Sequence, residues 1–422
     1  MGCWPVGSAE IKPTEPDTGN AGEGRPVIDT PALVSSSARS AARPRVAIVG
    51  AGAIGLAIGW RLAEAGCAVD LYERGQAGRG ASWAAAGMLA AGVETEPGEE
   101  RLLDLTRASQ ALWPEFARAL EAAAGVDVGY RDEGTLVVAL TRDDAEQLRN
   151  LATFQRGCGI ALDWLDGAAA RAREPHLTPR TVGAVFSPHD HQVDNRRLVG
   201  ALVKAVAGAG ARLHEQCDVA LDVVGGRAVG VIVAERRTPA DVVVLCAGAW
   251  SRSVAGLPPD ARPPVRPIKG QMLAVRMDPA APLLRHVVWA PKAYLVPRRD
   301  GRLLIGATVE ERGFDTANTA GAIYGLLDGA WRAVPAIEEL PIDEMWTGFR
   351  PGSRDDAPLL GASAVDNLIL ATGHHRNGIL LTPITADAIR DLVLTGRLPE
   401  VARRFTPDRF ARPQPVAAEA TA

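Results

Sequence analysis

One stretch constrains this chain more than any other. Between Arg45 and Arg74 the sequence RVAIVGAGAIGLAIGWRLAEAGCAVDLYER sets out an apolar run, a glycine-rich turn, a helical pattern, a second apolar run and an acid. That order is a βαβ unit able to bind a dinucleotide. Val46 to Val49 form the buried strand; Gly50 permits the tight turn, Gly52 lets a pyrophosphate approach the backbone, and Gly55 allows close helix-on-strand packing. A helix starting near Ala53 directs its free N–H groups and the positive end of its dipole at the phosphates. Glu73 closes the second strand, 21 residues after Gly52, where a carboxylate accepts both hydroxyls of an adenosine ribose. An acid there favours FAD or NAD over NADP. A glycine motif alone is weak; the strand, helix and spaced acid around it make it specific.

With 422 residues, 47% hydrophobic and 23% charged, the chain is long enough for two domains with sizeable cores. Its net charge of -4 argues against nucleic acid or an anionic membrane, which call for a basic face, so the expected partner is a small molecule. The five cysteines, Cys3, Cys67, Cys158, Cys217 and Cys246, are scattered without a CxxC pair. Neither a disulfide framework nor a metal site is expected, and a reducing cytoplasm fits best. No apolar run is long enough to span a membrane. Residues 1–43 are rich in Pro, Gly, Ser and Ala, contain acids such as Glu10 and Asp17, and read as a disordered extension rather than a targeting segment. Residues 406–422 read as a flexible tail.

Periodicity places helices at about Glu99–Ala124, at Asp143–Gln155, after Asp194 or Asn195 as cap, and at Tyr324–Ala333. The loop after the second strand reads as small and flexible. The strand around Asp218–Val224 and the alternating RAVGVIVAE form a meander, and DVVVLCAGAWS is a buried strand ending in Gly248, where the chain returns to the cofactor sheet. Several β-rich segments between Pro264 and Glu311 suit a mostly antiparallel sheet. NLILATGHHRNGILLTPITADAIRDLVLTG then repeats strand, glycine turn and helix, the helix starting near Gly378. Cofactor parts at both chain ends, with substrate parts interleaved, are typical of FAD enzymes. The expected fold is α/β: a discontinuous Rossmann-like FAD-binding domain (44–125, 190–262 and 343–405) and an α+β substrate domain on a mostly antiparallel sheet (126–189 and 263–342).

Five further segments carry a resemblance: ASWAAAGML (Ala81–Leu89), RPIKGQ (Arg266–Gln271), YLVPRRDGRLLIGAT (Tyr294–Thr308), GFRPGSRDDAPLLG (Gly348–Gly361) and GHHRNGILLTP (Gly373–Pro383). In this order, over Val46 to Phe405, the chain resembles the glycine oxidases of thiamine biosynthesis, within the D-amino-acid oxidase and sarcosine oxidase flavoprotein superfamily. The resemblance implies noncovalent FAD and oxidative deamination of glycine, sarcosine and small D-amino acids with O₂ as acceptor. It also implies a link to the thiazole-forming machinery of thiamine synthesis and a homo-oligomer. The FAD contacts it implies fall on Ala53, Ile54, Glu73, Arg74, Ala81, Ser82, Ala86, Gly87, Met88, Val219 and on His374, His375, Arg376, Asn377, Gly378, Ile379 and Leu380. Its substrate contacts fall on Tyr294, Arg350 and Arg376.

The chemistry gives these residues roles. An amino acid oxidase must clamp a carboxylate so that Cα faces flavin N5, and the planar two-donor fork of Arg350 suits that task, with the Tyr294 phenol as second donor. The plain readings are a surface arginine beside a turn and a half-buried strand tyrosine. A substrate reacting as the neutral amine needs no protein base, and a helix N-terminus near Gly378 stabilises negative charge near flavin N1 and O2. Arg376 either bonds a flavin oxygen or frames the substrate. His374 and His375 read as backbone contacts and packing rather than acid–base groups; His189 and His191 as a solvated loop rather than half a metal site; Lys269 as a surface lysine; Cys246 as inert core. Lys292 and Val309 depart from the family pattern of histidine and methionine and put entrance charge and pocket width in question. Competing readings are a D-amino-acid or 2-hydroxy-acid dehydrogenase feeding a quinone and a noncatalytic FAD-binding scaffold.

Overall fold

The computed structural model describes residues 43–410, so the expectations for residues 1–42 and 411–422 lie outside the described residues. Six strands form one sheet in the order Leu359–Ala362, Leu368–Thr372, Val242–Leu245, Arg45–Val49, Ala68–Tyr72, Arg212–His214. All neighbours run parallel except the first pair. Side chains alternate across the first strand: Val46 and Ile48 enter a core shared with helices, whereas Ala47 and Val49 enter a second core. Helices Ala53–Glu64, Asn195–Gly208 and Thr382–Thr395 supply the first core, with Glu100–Ala124 packed outside them. The meander Val219–Val224, Arg227–Val233 and Arg236–Pro239 lies over the other face.

A second, eight-stranded sheet follows the order Ile342–Gly352, Arg266–Arg276, Arg302–Gly306, Ala293–Pro297, Val287–Ala290, Thr135–Ala139, Gly183–Ser187, Asp163–Asp166. It is antiparallel apart from the parallel contact of Val287–Ala290 with Thr135–Ala139. Leu273, Val275, Leu295, Leu303 and Ile305 point to one face, under the helix Ala320–Ala333. Met272, Ala274, Val296, Leu304 and Trp346 point to the other, against Ala84 and Ala86 of the first domain.

Three boundaries differ from the sequence expectation. Strand Ile342–Gly352 pairs along its length with Arg266–Arg276, so residues 343–352 belong to the substrate sheet and not to the FAD-binding domain. Pro407–Phe410 is not free tail: it forms a 3₁₀ turn, and Arg409, stacked on Phe410, pairs with Asp355 at 2.9 Å. The loop after the second strand is built rather than flexible, with a short helix at Ala81–Ala84 and strand Met88–Leu89 paired to His191–Gln192.

Candidate active site

The glycine turn leaves space that a Cβ would fill. A Cβ on Gly50, which sits at φ +102°, would lie 2.5 Å from the Cys246 carbonyl oxygen, and one on Gly55 would lie 2.0 Å from that of Gly50. Helix Ala53–Glu64 begins behind Gly52, which has no side chain to cap it, and carries no acid in its first turn, so its positive end faces the glycine turn. Ala53 N–H donates to Ser82 Oγ at 2.9 Å, and Ile54 follows it in that first turn. The Glu73 carboxylate is fixed by the N–H groups of Ala51 and Gly75, each at 3.0 Å. Cys217 and Gln216 donate to the carbonyls of Glu73 and Gly75, which brings Val219 beside that turn. Arg74 lies over the Trp250 ring at 4.3 Å.

Segments distant in sequence close the cradle. Gly87, at φ +71°, accepts from Val193 N–H at 2.8 Å, and a Cβ there would lie 2.1 Å from the Val193 oxygen. Thr372 Oγ1 bonds Ser251 Oγ at 2.7 Å and the Gly248 carbonyl at 3.2 Å, joining Gly248 to the turn Gly373–Leu380 at the carboxyl ends of the parallel strands. Ile379 and Leu380 are buried, and Leu380 O accepts from Ser109 and Trp113. His375–Asn377 is a 3₁₀ turn, Gly378 is helical in its backbone, and the regular helix starts only at Thr382, later than the expected Gly378. These residues fit FAD: a helix end without an acid in its first turn for pyrophosphate, a carboxylate for ribose, and a turn opposite the second sheet for the ring system.

The second sheet turns Tyr294 and Arg350 to the face that meets Ala84, Ala86 and Met88. Glycines make this possible. The Tyr294 ring occupies the space of a Cβ on its pair partner Gly306, at 2.7 Å, and the Arg350 guanidinium that of a Cβ on Gly270, at 2.5 Å. Arg350 donates to Thr308 O at 3.1 Å. Burial pushes the Tyr294 phenol up to about 12 against the pull of Arg350, so it stays a donor; its partner among the described residues is the Met272 sulfur at 3.8 Å.

Arg376 is engaged by acids. Its Nε meets Glu94 Oε2 at 3.0 Å and its other donors meet Glu94 O and Glu99 Oε2. Burial opposes its charge, yet Glu94 and Glu99 hold its pKa above the ordinary range. Burial also pushes the Glu94 carboxyl up to about 7, and its charge acts on Tyr294. A small cavity here is lined by Glu94, Thr95, Glu99, Thr106, Arg376 and Asn377. His374 bonds Thr385 at 3.1 Å and is held by burial at about 3; His375, at φ 46°, is held at about 4 by burial and by the charges of Arg376 and Arg350. Both are neutral at physiological pH.

Other sequence expectations need correction. Lys269 is fully buried, its ammonium 2.8 Å from Asp315 and 2.6 Å from Ala317 O. The His189–His191 segment is solvated only at His189, which is exposed in a bend; Asp190 is 1% exposed and accepts from Gly92, Val93 and Gln110, while His191 packs edge-on against Tyr130. Lys292 packs its Cβ against Gly329 of the helix on the far face of the sheet, away from the Tyr294–Arg350 face, whereas Val309 is 72% exposed directly after Thr308, whose carbonyl accepts from Arg350. Sequence reasoning missed Glu94, Glu99 and Arg298. An acid directly after the small-residue segment Ala84–Val93 was the available signal for Glu94; Arg298 had none. Cys67, Cys158, Cys217 and Cys246 are free thiols, and among the described residues no cluster of His, Cys, Asp and Glu could hold a metal ion.

A nucleotide cradle at strand ends, facing an antiparallel sheet that offers an arginine and a tyrosine, defines a nucleotide-dependent oxidoreductase. A family model described as FAD dependent oxidoreductase matches residues 45–392, and the chain belongs to that family, with FAD as its cofactor. It is 39% identical over 352 residues to the glycine oxidase of Geobacillus kaustophilus, covering 82% of this chain and 92% of that protein. A crystal structure of glycine oxidase from that organism matches with a TM-score of 0.80 at 37% identity, over 87% of this chain and 99% of that one. The bifunctional protein ThiO/ThiG of Synechocystis sp. is 39% identical over 372 residues, 86% of this chain. The chain spans about half the length of such bifunctional relatives, 54% in this case. No helix among the described residues is long and apolar enough to cross a membrane.

Proposed function

We propose that the chain oxidises glycine, and with it sarcosine and small D-amino acids, giving an imine that water converts to glyoxylate and ammonia. When bound, FAD would supply the two-electron acceptor for the hydride lost from the substrate α-carbon, with O₂ as the final oxidant reduced to H₂O₂. The observation that carries this reading is the pairing of Arg350 and Tyr294 on the face opposite the cofactor cradle. A guanidinium fork and a phenol kept protonated by burial suit one carboxylate, and holding it fixes the α-carbon toward the cradle. His374 and His375, held at about 3 and 4, are too weak as bases to take a proton from the substrate ammonium at neutral pH, so neither serves as a general base. Relatives named glycine oxidase and ThiO/ThiG support a place in thiamine synthesis, where the imine feeds the thiazole ring. The site residues that would hold FAD are Gly50, Gly52, Ala53, Ile54, Gly55, Glu73, Arg74, Ala81, Ser82, Ala86, Gly87, Met88, Val219, Gly248 and the turn His374–Leu380. An oligomer of identical chains in the cytoplasm belongs to the same proposal.

The test is anaerobic mixing of the flavoprotein with glycine, sarcosine and D-alanine, followed at the flavin absorbance band. Bleaching by glycine, with H₂O₂ released once air is admitted, is the expected result; no bleaching by any of the three overturns it. Arg350→Ala is expected to lower kcat/KM by roughly 10²-fold or more, since truncating one side of a desolvated ionic hydrogen-bonded pair costs about 2–5 kcal/mol.

A further inference from the structure

Arg298 is 4% exposed, yet it bonds no carboxylate. It follows strand Ala293–Pro297, four residues after Tyr294. Its Nη1 donates to Gln192 Oε1 at 2.7 Å, its Nη2 to Ala86 O at 2.5 Å and Asn195 Oδ1 at 3.2 Å, and its Nε has no partner among the described residues. Burying a cation among neutral oxygens is costly, and a chain gains nothing in core stability from it over an apolar residue. What these oxygens share is one neighbour. Ala86 lies in the loop Ala81–Leu89; Gln192 is paired with Met88; Asn195 Nδ2 donates to the carbonyls of Ser82 and Trp83, each at 2.9 Å. Ser82 in turn accepts from Ala53 N–H at the head of the pyrophosphate-facing helix. A hydrogen-bonded line therefore runs from the second sheet through Asn195 and Ser82 to the cofactor cradle.

We propose that Arg298 is a positioning residue that holds the loop Ala81–Leu89 in its FAD-binding shape from behind and so sets how tightly the chain retains FAD. The inference rests on the reading of that loop as facing FAD and is independent of which substrate is oxidised. Lysine cannot replace the fork, because one ammonium on a flexible stem cannot span Ala86 and Gln192 in fixed directions.

The experiment compares holoenzyme of the wild type with Arg298→Lys, Arg298→Met and Asn195→Ala, measuring the FAD dissociation constant by equilibrium dialysis and the melting temperature of each apoprotein. Asn195→Ala keeps Arg298 but cuts its link to Ser82 and Trp83, so it carries the test if Arg298→Met does not fold. A dissociation constant raised tenfold in Arg298→Met and Asn195→Ala, less in Arg298→Lys, is the expected result, and any rise above threefold in Asn195→Ala or a folded Arg298 variant supports the proposal. A change below threefold in every folded variant overturns it, even where apoprotein melting falls, because that pattern marks a purely structural arginine. Failure of glycine to bleach the flavin leaves this readout intact, so the two readings fail separately.

Discussion

Arg350 can lie flat on its sheet because Gly270 beneath it has no side chain; a methyl there would sit 2.5 Å from Nη1. Gly270→Ala is therefore expected to tilt the guanidinium and raise KM for glycine on the order of tenfold, with the FAD dissociation constant unchanged, as steady-state kinetics and dialysis would show. The paired histidines carry a pH signature. In the unfolded chain they take up protons below about 6.5, whereas in the fold His375 stays neutral down to about 4. The stability this contributes is present above pH 6.5 and is lost as pH falls toward 4. His375→Asn, which tolerates the left-handed backbone at φ 46°, is expected to flatten the decline of melting temperature between pH 6.5 and 4 relative to wild type. An equal decline in both proteins would refute the assignment.

Helix Asn195–Gly208 owes its start to Asp194, which accepts from the N–H groups of Arg196 and Arg197 and also pairs with Arg302 of the second sheet at 2.6 Å. Asp194→Ala removes cap and ion pair together and is expected to cost about 2 kcal/mol or more, read as a lower denaturation midpoint in urea. Asp194→Asn, which keeps a capping oxygen, should cost less. The cap was legible in the sequence because capping is local, as was the strand–turn–helix order around Gly50, Gly52 and Gly55. Strand Ile342–Gly352 was misplaced because its mixed polar and apolar residues give no hint of their partner, whose pairing is set by the fold. Lys269 was misread for the same reason: its counter-ion Asp315 is 46 residues away. Glu94 meets Arg376 across 282 residues and Arg298 meets Ala86 across 212, and no motif spacing encodes such encounters.

At the scale of the whole molecule, the residues proposed to hold FAD come from both ends of the described chain and from its middle, so that binding and folding would be linked. Raising free FAD to 100 times its dissociation constant is expected to stabilise the protein by about 2.7 kcal/mol, and the melting temperature should climb with FAD concentration. A melting temperature indifferent to added FAD would contradict the assembled cradle. The order of strands in the parallel sheet has its own result for synthesis. Val242–Leu245 lies between Arg45–Val49 and Leu368–Thr372, and all four of its residues are buried. Until the ribosome has delivered residue 372, that strand shows a bare apolar edge for more than a hundred residues of elongation, ready to pair with the wrong neighbour. A nascent chain stopped before Leu368 is thus expected to pellet or remain with chaperones, whereas one released whole buries the edge beneath its own last strand.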